Sequence, residues 1–103
     1  GKGLATSGNY SKFRTDSSGR KIVHTVDPRT GQPVTSDLLS ATVVAETSAE
    51  ADAYGTALMV MGLERGKEFL AAHPEIQAYL IYSDEQGRFQ TYVTPELGRT
   101  IAR

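Results

Sequence analysis

The 103-residue sequence contains no cysteine. That absence excludes a disulfide framework, a zinc–thiolate centre and a thiol nucleophile. There is no apolar run long enough to span a bilayer. Charge of either sign is not in excess: 11 Lys and Arg against 12 Asp and Glu give a net charge of −1, with the cations spread along the chain. A nucleic-acid footprint or a polybasic membrane patch is therefore not expected, and nucleic acid is set aside as a partner. No signal peptide or lipid-attachment segment is legible. The opening Gly1-Lys2-Gly3-Leu4 has no Met and starts on the way into a strand, so residues 1–103 are expected to be a single compact piece of a longer protein. Hydrophobic residues at 39% and charged residues at 22% suit a chain that folds around a core.

Residues 4–26 read as a hairpin, with turn chemistry at Asp16–Gly19 and the β-rich run Lys21–Val26. Asp27–Gly31 reads as a second turn, with Pro28 setting φ and Gly31 free to take a positive one, and Pro33 extends that loop. Leu39–Ala45 alternates as a strand with a buried face. Thr47 and Glu50 have capping-box spacing at the head of a helix that runs to about Met61, where Gly62 is placed to stop it. A short helix from Glu64 to about Ala72 ends before Pro74. Ala78–Tyr82 and Arg88–Val93 are strands around the turn Ser83–Gly87, and Thr94–Pro95 starts a terminal turn or short helix to Ile101. The order implies an α+β fold with a largely antiparallel sheet, one long buried helix and one short helix.

From Ala51 to Leu63 only Asp52 and Thr56 interrupt the apolar helix, and i, i+4 spacing puts the carboxylate and the hydroxyl on one face. Two hard oxygens aimed at one spot suit a hard cation, Mg²⁺ first, with a phosphate ligand behind it. On spacing alone the plainer reading leads: Thr56 bonds back to a helical carbonyl and Asp52 sits at the rim with an arginine. His24 is the obvious general acid or base, or else an end-of-strand surface histidine. His73, at a helix end before Pro74, reads as structural. Asp27, Arg29 and Thr30 invite a catalytic reading, but the structural one leads: a turn carboxylate that accepts backbone N–H bonds, with Arg29 paired to it or to a phosphate. Thr6-Ser7-Gly8-Asn9 allows close approach of a ligand or another backbone, but lacks the lysine and helix of a phosphate loop.

Three segments fall together. Ala5–Tyr10 (ATSGNY), His24–Pro33 (HTVDPRTGQP) and Glu50–Gly62 (EADAYGTALMVMG), in this order and spacing, resemble the ApbE family, the FAD:protein FMN transferases. The resemblance covers essentially the whole chain and implies the C-terminal portion of a larger flavin-binding fold, with an N-terminal half that completes the pocket. It implies a Mg²⁺-dependent enzyme that splits FAD at its pyrophosphate, places FMN on a threonine hydroxyl of an acceptor flavoprotein subunit and releases AMP. It implies Asp52 and Thr56 as metal ligands, His24 near the pyrophosphate as base or phosphate contact, and Ser7 as a flavin contact. Some members carry an aspartate just before the threonine; here Gly55 stands there and supplies no side-chain ligand. The resemblance also implies an exported, lipid-anchored periplasmic protein, inactive as this piece alone. The alternatives are a flavin-binding or carrier module, or an FAD pyrophosphatase without protein transfer.

Overall fold

The computed structural model describes residues 2–8, 13–95 and 97. Among the described residues the elements follow in the order β1 (Gly3–Ser7), β2 (Arg14–Thr15), β3 (Lys21–Val26), β4 (Pro33–Ser36), β5 (Leu38–Ala45), α1 (Ser48–Ala72), β6 (Gln77–Ser83) and β7 (Phe89–Val93). They form a four-stranded sheet of order β1-β5-β6-β7 and a three-stranded sheet of order β2-β3-β4, with every pairing antiparallel. This is the expected α+β architecture.

β5 is the centre of the larger sheet. Leu38, Leu39, Ala41 and Val43 are fully buried, packed with Leu58, Met59, Leu63 and Leu70 of α1 and with Ala78 and Leu80 of β6. A strand covered on both faces reads as a run of apolar and small residues, and β5 does so. Its N-terminal neighbour is where sequence reasoning fails. Residues 4–26 do not form one hairpin: β1 pairs with β5, from Gly3 opposite Ala45 to Ser7 opposite Ala41, and only β2 pairs with β3. The physical reason is the helix overhead. Gly3 lies so close to the Thr47–Ser48 backbone, and Gly8 so close to Leu39 O and the Met59 side chain, that neither position has room for a Cβ. Small residues of β1, Gly3 and Ser7, lie where α1 comes close, and pairing with β5 puts the strand there. A second correction concerns Pro33, which begins β4 rather than extending a loop. As the first residue of an edge strand, a proline removes no needed ladder donor.

The helix begins as the spacing implies: Thr47 is extended at φ −130°, ψ 160°, and its Oγ1 accepts the Glu50 N–H at 3.1 Å. The expected long and short helices are two arms of α1, broken at Gly62, whose φ of 81° lies where L side chains are strained. The break frees the Leu63 N–H, and Asp37 Oδ1 accepts it at 3.1 Å. Asp37 Oδ2 lies 3.6 Å from Arg20 Nη1, and its carbonyl accepts the Ser83 N–H at 3.2 Å. α1 ends at the His73 cap, ahead of Pro74. The expected terminal turn or helix to Ile101 falls largely outside the described residues.

Replacing Asp37 by Ala leaves the second arm of α1 without its side-chain cap. We expect a loss of about 1–2 kcal/mol of unfolding free energy, read by urea denaturation with an unchanged slope. A midpoint equal to that of the wild type would remove Asp37 from the list of groups that hold the kink.

Candidate functional site

α1 is apolar on two sides, for different reasons. Ala51, Gly55, Leu58, Met59, Leu63, Gly66 and Leu70 are buried and make the sheet-facing stripe. A second stripe, Ala53, Ala57, Val60, Met61 and Phe69, lines a cleft of about 610 Å³. The opposite wall is the β3–β4 turn, through Asp27, Pro28 and Arg29, and the polar residues Thr56 and Arg65 of α1 complete it. The Phe69 ring contacts two others, Tyr54 at 5.9 Å and His73 at 4.4 Å between centroids. An amphipathic helix needs one apolar stripe; the second is the signal that marks a ligand-sized cleft.

The turn that forms the opposite wall is built around Asp27. Its backbone carbonyl accepts the N–H groups of Thr30 and Gly31, at 3.2 and 2.8 Å. Its side chain is 7% exposed, and Oδ1 accepts the Arg29 backbone N–H at 2.9 Å. The Arg29 guanidinium closes on both carboxylate oxygens, Nε to Oδ1 at 3.2 Å and Nη2 to Oδ2 at 3.0 Å, while remaining 79% exposed. The hydrogen bonds from the Arg29 side chain, then from its backbone, hold the Asp27 carboxyl below the usual range; the side-chain bond to Asp27, then the charge of that carboxylate, raises the Arg29 guanidinium. The turn reading of Asp27 and Arg29 is right in structure. Its consequence for the cleft is not visible locally, because the facing wall lies more than twenty residues further along the chain.

Asp52 and Thr56, the expected metal ligands, lie one turn apart on α1. Thr56 Oγ1 donates to Asp52 O at 3.1 Å, the backward bond that spacing alone favoured. That bond consumes the hydroxyl hydrogen and leaves the oxygen lone pairs as acceptors. Asp52 is exposed, and among the described residues no arginine pairs with it. Thr56 lines the cleft, with Asp52 one turn before it on α1. His24 is exposed on β3, opposite Thr35, and does not line the cleft. Ser7 lies against the helix: a Cβ built on Gly55 would come within 2.5 Å of Ser7 Oγ. Gly55 therefore sits on the buried side of α1, where close approach to β1 demands a glycine, and not on the Asp52–Thr56 face. Asn9 and Tyr10 lie outside the described residues.

Residues 1–80 match the model of the ApbE family. The chain belongs to that family. It is 38% identical over 96 residues to the FAD:protein FMN transferase of Klebsiella pneumoniae, covering 93% of this chain and 27% of that protein. The FAD:protein FMN transferase of Escherichia coli is also 38% identical over 96 residues, with 26% of its length covered. Among solved structures, the apo flavinyl transferase ApbE of Pseudomonas stutzeri matches with a TM-score of 0.76 and 35% identity, over 95% of this chain and 30% of that one. The flavin transferase ApbE of Vibrio cholerae matches at 0.71 and 32%, over 93% and 29%. The chain thus spans between a quarter and a third of the length of these ApbE relatives.

Two expectations follow from the geometry. Gly55→Ala drives a methyl group into Ser7 Oγ and should cost about 1–3 kcal/mol; Ser7→Gly in the same chain should restore part of it, which a double-mutant cycle reads directly. Additive losses would show that the two residues are not in contact. The second concerns acid. The folded-state pKa of Asp27 is depressed, so its contribution is fully present above the unfolded value near about 3.9 and is lost as pH falls through the folded one. The stability gap between wild type and Asp27→Asn should be constant near neutrality and close below about pH 4; a gap independent of pH would refute the ionised pairing.

Proposed function

We propose that the full-length protein is a Mg²⁺-dependent FAD:protein FMN transferase. It moves FMN from FAD to a threonine hydroxyl of an acceptor protein and releases AMP. The observation that carries this reading is the Asp52–Thr56 face of α1 beside a cleft lined by guanidinium groups, in a chain of the ApbE family. The donor set fits the cation. Both atoms are hard oxygens, the Thr56 hydroxyl presents lone pairs, and Mg²⁺ accepts few protein ligands while keeping phosphate and water. When bound, Mg²⁺ supplies charge neutralisation on the pyrophosphate oxygens.

In the transfer, the bond between the FMN phosphorus and the bridging oxygen breaks, and a bond from the acceptor threonine oxygen to that phosphorus forms. Phosphoryl chemistry of this kind depends on positioning and charge more than on covalent help. Asp52 and Thr56 are the residues that would hold the cation beside the pyrophosphate. His24 takes the threonine proton, and its exposure on β3 leaves it within reach of an acceptor arriving from solvent. Ser7 Oγ, in contact range of α1, holds the helix at the depth this arrangement needs.

Incubation of the full-length protein with FAD, Mg²⁺ and a threonine-bearing acceptor is the deciding experiment. AMP with flavinylated acceptor supports the reading, AMP with free FMN makes it a pyrophosphatase, and bound flavin without AMP makes it a carrier. Asp52→Ala or Thr56→Ala should each lower transfer by about two orders of magnitude or more; unimpaired transfer at limiting Mg²⁺ would remove them as ligands. His24→Ala should slow turnover by about 10²-fold or more with FAD affinity retained, and a loss confined to FAD affinity would take the base role away.

A further inference from the structure

The cleft on the outer side of α1 carries an unusual pairing of features. One wall is apolar, made by Val60, Met61 and Phe69, and the Phe69 ring packs against those of Tyr54 and His73. Into the same space face two arginines from segments far apart in sequence, Arg29 and Arg65. Asp27 aligns Arg29 by a two-point carboxylate–guanidinium contact, and the aligned side chain still stands 79% exposed. Arg65 is exposed, and among the described residues its guanidinium pairs with no carboxylate. The three charged residues of the cleft leave one positive charge over. An aligned guanidinium is the group best shaped for phosphate, because it offers parallel N–H donors without further loss of rotamer freedom. The apolar wall and a volume of about 610 Å³ are far more than inorganic phosphate needs and suit a ligand with a flat ring system.

We propose that Arg29 and Arg65 form a phosphate clamp that holds an aromatic mononucleotide in this cleft, with its ring system on the Val60–Phe69 wall. This rests on the flavin-transfer reading, since both halves of FAD have that chemistry: FMN, which is transferred, and AMP, which leaves. A phosphate monoester carries about −1.5 to −2 charges near neutral pH, which the positive cleft favours. Thr56 lines the same space, so the clamp and the hydroxyl face one ligand from two sides. Asp27 acts as a positioning residue through Arg29.

The test is calorimetric titration of the full-length protein in EDTA, so that no cation contributes, with FMN, AMP, riboflavin and adenosine. At least one mononucleotide should bind about tenfold or more tightly than its phosphate-free counterpart. Arg29→Gln and Arg65→Gln should each remove about tenfold or more of that affinity, the size of one charge-assisted hydrogen bond. Neither should alter binding of riboflavin or adenosine, and Arg65→Lys should restore part of the loss. Both variants are expected to fold, because the turn is held by the Arg29 backbone N–H and position 65 is exposed. A preference for FMN assigns the clamp to the transferred phosphate, and a preference for AMP assigns it to the leaving group. Equal affinity for phosphate-bearing and phosphate-free compounds overturns the proposal, as does wild-type binding in both Gln variants. Flavin transfer lost in Asp52→Ala but normal in both Gln variants would sink the clamp and leave the transferase standing.

Discussion

Asp37 sits where the helix, the small sheet and the large sheet meet, and it is the polar group on which their arrangement depends. One carboxylate oxygen takes the Leu63 N–H that the Gly62 break exposes, the other faces Arg20, and the backbone carbonyl takes the Ser83 N–H at the end of β6. Ser83 in turn accepts the Lys21 backbone N–H at 2.8 Å, so the start of β3 is tied to the same point. A buried helical donor without a partner costs more than an ordinary hydrogen bond contributes. The kink in α1 is therefore tolerable only because a carboxylate waits beneath it. The kink also sets the course of the second arm, which carries Arg65 and Phe69 to the cleft.

The helix explains why structure and function are hard to separate in this chain. Its inner stripe is selected for size: Ala51 and Gly55 let it lie low over β1 and β5, and Leu58, Met59 and Leu63 then fill the core. Its outer stripe is apolar as well, yet it faces the β3–β4 turn across open space rather than a packed layer. Asp52 and Thr56 are the polar interruption between these surfaces. An oxygen pair placed there borders both a rigid support and a ligand-sized space, which is what pre-organised phosphate chemistry requires.

Local signals in the sequence translated well. The Thr47–Glu50 spacing marked the helix start, Gly62 marked the break, and Asp27–Gly31 and Ser83–Gly87 marked turns whose hydrogen bonds are present. The Asp52–Thr56 face was legible because both residues lie on one helix. What stayed hidden is non-local. The pairing of β1 with β5 joins Leu4 to Val44, and nothing within β1 names its partner. Asp37 gave no sign of its role because its donor lies 26 residues away. β4 was masked by Pro33, a residue that argues against strands in general and is harmless at the first position of an edge. The cleft was hidden for the same reason as Asp37: Arg29 was visible as a turn residue, while Arg65, which faces it across the space, had no motif of its own.

The two hairpin turns at the far end of the molecule share one design. Asp16 and Asp84 each accept, through Oδ1, the N–H groups of the residues two and four places on, so Asp16-x-x-Gly19-Arg20 and Asp84-x-x-Gly87-Arg88 close in the same way. The turns are also in contact. A Cβ on Gly87 would come within 2.4 Å of Gly19 O, Lys21 donates to Gly87 O, and Arg20 reaches toward Glu85 at 3.7 Å. Hairpin tips are ordinarily the places where a lineage adds or removes residues at little cost. Here each tip is the other's packing surface, so a change of length in one must be matched by the other. In ApbE-like chains built this way, variation in loop length is expected to be displaced from these two turns to segments that no second turn touches.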